Sequence, residues 1–102
     1  MAKGLRFKWD PKKSESNLKK HGINFETAKL VFDDLLCVTE YEGDEHGEPR
    51  WRTTGQIGGF VVVRVSHTIR EEGETEVIRI ITARKAGRSE RQKYEGASRS
   101  HR

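Results

Sequence analysis

The stretch that decides the fold is Gly58–Arg84, GGFVVVRVSHTIREEGETEVIRIITAR. It opens on a glycine pair, the mark of a tight hairpin. Phe60 to Thr68 then carries Val61, Val62, Val63 and Val65, and is the strongest strand in the chain. A charged turn, Arg70 to Glu74, leads into a second strong strand, Val77 to Ala83. Dense β-branched runs bounded by glycine and charge predict consecutive antiparallel strands.

Working outward, Trp51 to Ile57 reads as the strand before this hairpin, and Leu36 to Tyr41 as a short one before that. The polar run Gly43 to Pro49 is expected to turn between them. Further upstream, Asn24 is placed to cap a helix over about 25–33, in which Phe25, Ala28, Val31 and Phe32 follow helical spacing. Asp10-Pro11 predicts the start of another helix, over about 11–21, with Gly22 as its stop. Its inner face is poor, since Leu18 is its one large apolar residue. Leu5, Phe7 and Trp9 alternate with Arg6 and Lys8, the period of a half-buried strand. Downstream, Gly87 precedes a last helix expected to end near Glu95, and the tail 96–102 is expected to fray as a flexible end. The order βααββββα, with helices and strands segregated, is that of a single α+β domain over residues 1–95. It predicts a mostly antiparallel sheet whose helices cover one face.

Composition sets the partners this domain can have. The 102 residues carry 20 Lys+Arg against 16 Asp+Glu, a formal net charge of +4. That charge is uneven. Residues 1–22 hold seven basic and two acidic groups, 23–50 two and eight, 51–76 three and four, and 77–102 eight and two. Basic ends that meet in space would make a face for a polyanion. No run is long and apolar enough for a membrane span, and no apolar segment near Met1 predicts a secretory signal. The single cysteine, Cys37, leaves no intramolecular disulfide and fits a reducing cytoplasm. No Gly-rich phosphate loop, nucleophile elbow or C-x-x-C motif is present, and the four histidines lack zinc-site spacing. No metal and no cofactor is therefore expected.

The chemistry-bearing residues cluster late. In Phe60 to Thr68, the set Val61, Val63, Val65 and His67 makes the better core face, which turns Arg64 outward. In Val77 to Ala83, strict alternation sends Arg79 and Arg84 to opposite sides unless a bulge intervenes. If the strand feeds straight into the last helix, Arg84, Lys85, Arg88 and Arg91 form a rim suited to phosphates. Tyr94 is either a proton donor, a ring on which a base stacks, or an anchor of the helix. His67 is placed for a hydrogen-bonded structural role, yet it is also the best-placed general acid or base. The acidic residues 33–34 and 40–48 read as solvated loop.

Several segments, taken in order, carry a resemblance: Phe7-Lys8-Trp9-Asp10-Pro11-Lys12-Lys13, Asn17, Lys20-His21-Gly22, Phe25-Glu26, Ala28 and Val31-Phe32-Asp33. Thr54-Gly55, Val65-Ser66-His67-Thr68, Arg79 to Ala86, Glu90-Arg91 and Tyr94-Glu95 follow. From about residue 5 to 95 the chain resembles the BrnT family of type II toxin–antitoxin ribonucleases, although Gly87 stands where that family often has Thr or Ser. The resemblance implies a RelE-like α+β toxin that inhibits translation by cleaving RNA without a metal. It also implies a cognate BrnA-like antitoxin, through which alone operator DNA would be reached.

Such cleavage needs a base for the 2′-OH, cations for the charge building on phosphorus, and an acid for the leaving 5′ oxygen. The expected catalytic set is Arg79 and Arg84, with Arg64 as a third cation and His67 or Tyr94 transferring protons. Lys85, Arg88 and Arg91 would hold the flanking RNA. The competing expectation is a non-catalytic module that binds RNA or the antitoxin through the same basic face and leaves RNA intact.

Overall fold

The computed structural model describes residues 4–100. Its elements, in chain order, are β1 (Gly4–Lys8), α1 (Pro11–His21), α2 (Phe25–Ala28), a 3-10 helix (Lys29–Asp33), β2 (Val38–Glu45), β3 (Glu48–Ile57), β4 (Val61–Glu72), β5 (Thr75–Lys85) and α3 (Arg88–Ser100). The expected helix over 25–33 is thus one α turn that tightens into a 3-10 segment. The strands form one sheet in the order β1-β5-β4-β3-β2. The three hairpin pairs are antiparallel, and β1 runs parallel to β5.

Local chemistry sets the helix ends. Asp10 accepts a hydrogen bond from the Lys12 amide at 2.9 Å, and Pro11 occupies the first helical position. Gly22 adopts φ 74° and returns its amide to the Leu18 carbonyl at 2.8 Å, the left-handed stop that glycine makes without a Cβ clash. Asn24 caps α2 through the Thr27 amide at 2.8 Å.

One face of the sheet buries the core. Phe25, Ala28 and Val31 come down onto Val63 and Val65 of β4 and onto Ile78, Ile80 and Ala83 of β5, with Phe7, Trp9 and Phe32 packed at the margin. α1 docks differently from the expectation. Leu18 stays 46% exposed, and the inward residue is Asn17. Its amide donates to the carbonyls of Ile23 and Ala83 at 2.7 Å each and accepts from the Ala83 amide at 3.2 Å. β1 pairs only with Thr75–Arg79, so Asn17 satisfies the edge of β5 where β1 has ended, as a strand neighbour would. Gly55 on β3 lies so close to this layer that a Cβ there would meet the Val31 carbonyl at 3.1 Å and the Cys37 Cβ at 3.0 Å.

Three differences from the sequence expectation position the site. The strands are longer than expected, so the acidic run is no loop: β2 and β3 continue to a tight turn at His46-Gly47, where φ is 53° and 78°. α3 runs to Ser100, past the expected end at Glu95. The helices also do not share one face. Val62, Thr54 and Arg64 lie opposite the core side of β4 and β3, and α3 lies over them: Val62 borders a cavity with Arg91, and Arg64 meets Glu90. That cover leaves Val62 and Thr54 buried.

Candidate RNA-binding face

The outer face is built by two bulges. On β5 the register slips between Ser66 and His67, whose partners are Thr82 and Ile80. Ile81 is the extra residue, and it resets the alternation. Ile78, Ile80 and Ala83 therefore all face the core, while Arg79 and Arg84 both face outward. Strict alternation would have split the two arginines. On β2 the register slips between Tyr41 and Gly43, so Glu42 is the unpaired residue, and its carboxylate is aimed across the sheet.

Arg64 and Arg84 are direct cross-strand partners, and both are held by carboxylates. Arg84 donates both terminal nitrogens to Glu90, at 3.0 and 2.9 Å. Arg64 donates Nη1 to Glu90 at 3.3 Å and Nη2 to Glu42 at 2.6 Å, and its Nε is buried with no partner among the described residues. Ser66 donates to Glu42 at 3.0 Å. The Gly87 amide donates to Glu90 at 2.7 Å, half of a capping box that starts α3 although Gly87 brings no side chain of its own. Burial would push the Glu90 carboxyl upward, but the Gly87 amide and the Arg84 and Arg64 guanidiniums outweigh it and hold it below its usual range. Glu42 is likewise held low: burial opposes, while bonds from Arg64 and Ser66 and the charges of Arg64 and Arg52 prevail. Two arginines and two ionised carboxylates thus form a neutral, half-buried cluster.

The remaining expected residues divide. Lys85, Arg88 and Arg91 are brought together around Ala86. One cavity of about 330 Å³ is lined by Arg88, Arg91, Gln92 and Glu95, and a neighbouring one of about 200 Å³ by Lys85, Arg91 and the apolar side chains of Phe60, Val61 and Val62. Arg79 lies five positions from Arg84 along β5, on the order of 15 Å at strand rise. It opens instead into a separate basin of about 430 Å³ with Lys13, Arg50, Glu45 and Glu48, so it and Arg84 face different points of any bound chain. Tyr94, one turn beyond Glu90 on the same side of α3, is 4% exposed and donates its hydroxyl to Asp34 at 2.6 Å. Asp34 also accepts from the Gln56 and Leu36 amides. Against the burial that would raise it, these bonds hold its carboxyl low.

His67 is not on this face. It is 0% exposed, on the core side, with its ring edge-on to Phe32 at 5.0 Å. Its Nδ1 lies 3.2 Å from the Thr68 carbonyl and its Nε2 2.7 Å from the Thr53 hydroxyl. A nitrogen facing a carbonyl must donate, so the neutral ring accepts at Nε2 from Thr53, and Thr53 accepts in turn from Thr39 at 2.8 Å. Burial keeps the imidazole below its usual pKa, although the Thr68 bond and the Glu42 charge act the other way. This histidine satisfies core hydrogen bonds and does not reach a ligand on the outer face.

Sequence reasoning missed Glu42, Ser66, Glu90 and Asp34. Only the Gly87-x-x-Glu90 spacing offered a signal, as a capping box; Glu42 depended on a bulge that no local pattern marks. Among the described residues, no group of three or more His, Cys, Asp or Glu gathers where a metal ion could sit, and no helix is long and apolar enough to cross a membrane.

Comparison with known proteins accounts for this architecture. No curated protein matches the sequence. The crystal structure of the Brucella abortus ribonuclease toxin BrnT is similar in fold, with a TM-score of 0.57 and 24% identity over 83% of this chain and 99% of that one. The profile described as "Ribonuclease toxin, BrnT, of type II toxin-antitoxin system" matches residues 9–90, which is most of the chain. The chain therefore belongs to the BrnT family of ribonuclease toxins of type II toxin–antitoxin systems.

Proposed function

We propose that this toxin cleaves RNA without a metal ion, by attack of the substrate's own 2′-OH on the adjacent phosphate. The observation that carries the reading is the convergence of two guanidiniums, Arg64 and Arg84, from neighbouring strands onto one point of the outer face. Paired arginines set in a partly buried site are suited to the charge that builds on a phosphorane. Lys85, Arg88 and Arg91 hold the backbone on one side of the scissile phosphate, and Arg79 holds it on the other, from its basin with Lys13 and Arg50. Glu42, whose carboxylate faces Arg64 at 2.6 Å, takes the 2′-OH proton. Tyr94 protonates the leaving 5′ oxygen once its hydroxyl has left Asp34. His67 has no part in this assignment, because its ring is enclosed in the core. The requirement for a 2′-OH restricts the substrate to RNA.

The toxin acts in the cytoplasm, where its cleavage inhibits translation. A BrnA-type antitoxin neutralises it by covering the basic face and is the part of the complex that contacts operator DNA. The test is RNA cleavage by purified protein in chelator, together with growth arrest on induction, for wild type, Arg79→Ala and Arg84→Ala. Loss of one charged phosphate contact is worth about 1–3 kcal/mol, or about fivefold to 150-fold in rate. Full activity in both folded variants refutes the site, and salt-dependent RNA binding with no cleavage by wild type refutes catalysis in favour of a binding module.

A further inference from the structure

The arginines assigned to the phosphate are not vacant. The Glu90 carboxylate accepts from both terminal nitrogens of Arg84, from Nη1 of Arg64 and from the Gly87 amide. Four donors around two oxygens exhaust what a carboxylate can usefully take. The parallel two-point contact with Arg84 is also the geometry in which a guanidinium takes the two non-bridging oxygens of a phosphodiester. An RNA phosphate and Glu90 cannot share these donors, since two anions would meet in a half-buried site. We infer that Glu90 is a resident stand-in for the RNA phosphate, and that α3 holds the cationic site closed until substrate displaces it. The inference rests on the reading of Arg64 and Arg84 as phosphate ligands.

The attachment of α3 suits such a role. Between Arg88 and Gly96 only Tyr94 is buried, and Glu90 is the one other residue not exposed. Among the described residues its ties to the rest of the chain include polar ones: Glu90 to the arginines, Lys93 to Glu40 at 3.5 Å, and Tyr94 to Asp34. A segment held by few apolar contacts and several exchangeable polar ones opens locally at far lower cost than the paired strands beneath it. The displaced contacts are replaced in kind, guanidinium to phosphate for guanidinium to carboxylate.

Glu90→Gln tests this, because glutamine keeps the helix cap while removing the charge. The probe is a 2′-O-methyl RNA oligonucleotide, which has the phosphates and lacks the attacking hydroxyl. Glu90→Gln should bind it about tenfold tighter than wild type, the scale of one charge-assisted hydrogen bond. The log–log salt dependence should steepen by about 0.7 for each phosphate newly contacted. Adding Arg84→Ala should erase the gain. Tyr94→Phe, which removes the hydroxyl bond that ties α3 to Asp34, should also bind tighter, and it carries the test if Glu90→Gln does not fold. Equal or weaker binding by a folded Glu90→Gln protein, or a gain that survives Arg84→Ala, overturns the inference, as does unchanged binding by Tyr94→Phe. A binding gain with unmodified RNA left intact would remove the ribonuclease assignment and leave the stand-in. Cleavage by wild type with no gain in Glu90→Gln would do the reverse.

Discussion

Replacing His67 with phenylalanine separates a core histidine from a catalytic one. The ring is enclosed, with Phe32 at one edge, and is the link in a chain of bonds from Thr39 through Thr53 to the Thr68 carbonyl. Phenylalanine keeps an aromatic ring in place and removes both bonds. Thr53 retains Thr39 as a partner, so the expected cost at neutral pH is that of the lost bonds, about 1–3 kcal/mol. The pH dependence is the sharper readout. Burial holds the folded-state pKa of His67 below its ordinary 6.5, so the unfolded chain takes up a proton that the folded chain refuses. The contribution of His67 to stability is therefore fully present well above pH 6.5 and is lost as pH drops through that value toward the folded-state one. The slope from this one group cannot exceed about 1.4 kcal/mol per pH unit. Asp34, Glu42 and Glu90 contribute in a lower window, because their pKa values are depressed from 3.8 and 4.5. Urea unfolding between about pH 5.5 and 6.5, about one unit above the carboxylate window, is thus dominated by His67. The His67→Phe protein should lose its share of the slope there while cleaving RNA normally per folded molecule. An unchanged slope would refute the neutral buried ring, and loss of cleavage in a folded variant would refute its exclusion from the site.

Two other substitutions probe the scaffold and the rim. Asn17→Ala removes the amide that completes the edge of β5 and should cost about 2–4 kcal/mol in thermal or urea unfolding, since it strands buried backbone groups of Ile23 and Ala83; a cost below about 1 kcal/mol would mean that water replaces it. Lys85→Ala, Arg88→Ala and Arg91→Ala should each weaken RNA binding alike across sequences and lower the salt slope by about one contact, whereas a change in sequence preference would place that side chain against a base.

Much of the architecture is legible locally. The valine-rich run before Arg64, the isoleucines around Arg79 and the glycines between strands dictate a meander, because β-branched packing and turn geometry act within a few residues. Asp10-Pro11, Gly22 and Asn24 set helix ends for the same reason. The rim of Lys85, Arg88 and Arg91 is legible too, since a strand leading directly into a helix brings those positions together whatever else surrounds them.

What only the tertiary structure decides are matters of phase and partner. One extra residue, Ile81, turns Arg79 and Arg84 to the same face, and one unpaired residue, Glu42, meets Arg64 from two strands away. A period-two pattern has no means of registering such a slip, because a bulge is settled by what the neighbouring strands must bury. Likewise, the count of charges predicted a basic strand–helix junction, but the folded chain brings Glu42 onto it from a distant strand and turns Glu90, its near neighbour in sequence, onto both arginines. Net charge is set by composition alone; which charges face a ligand and which are already satisfied depends on distances that exist only once the sheet has closed and α3 has crossed it.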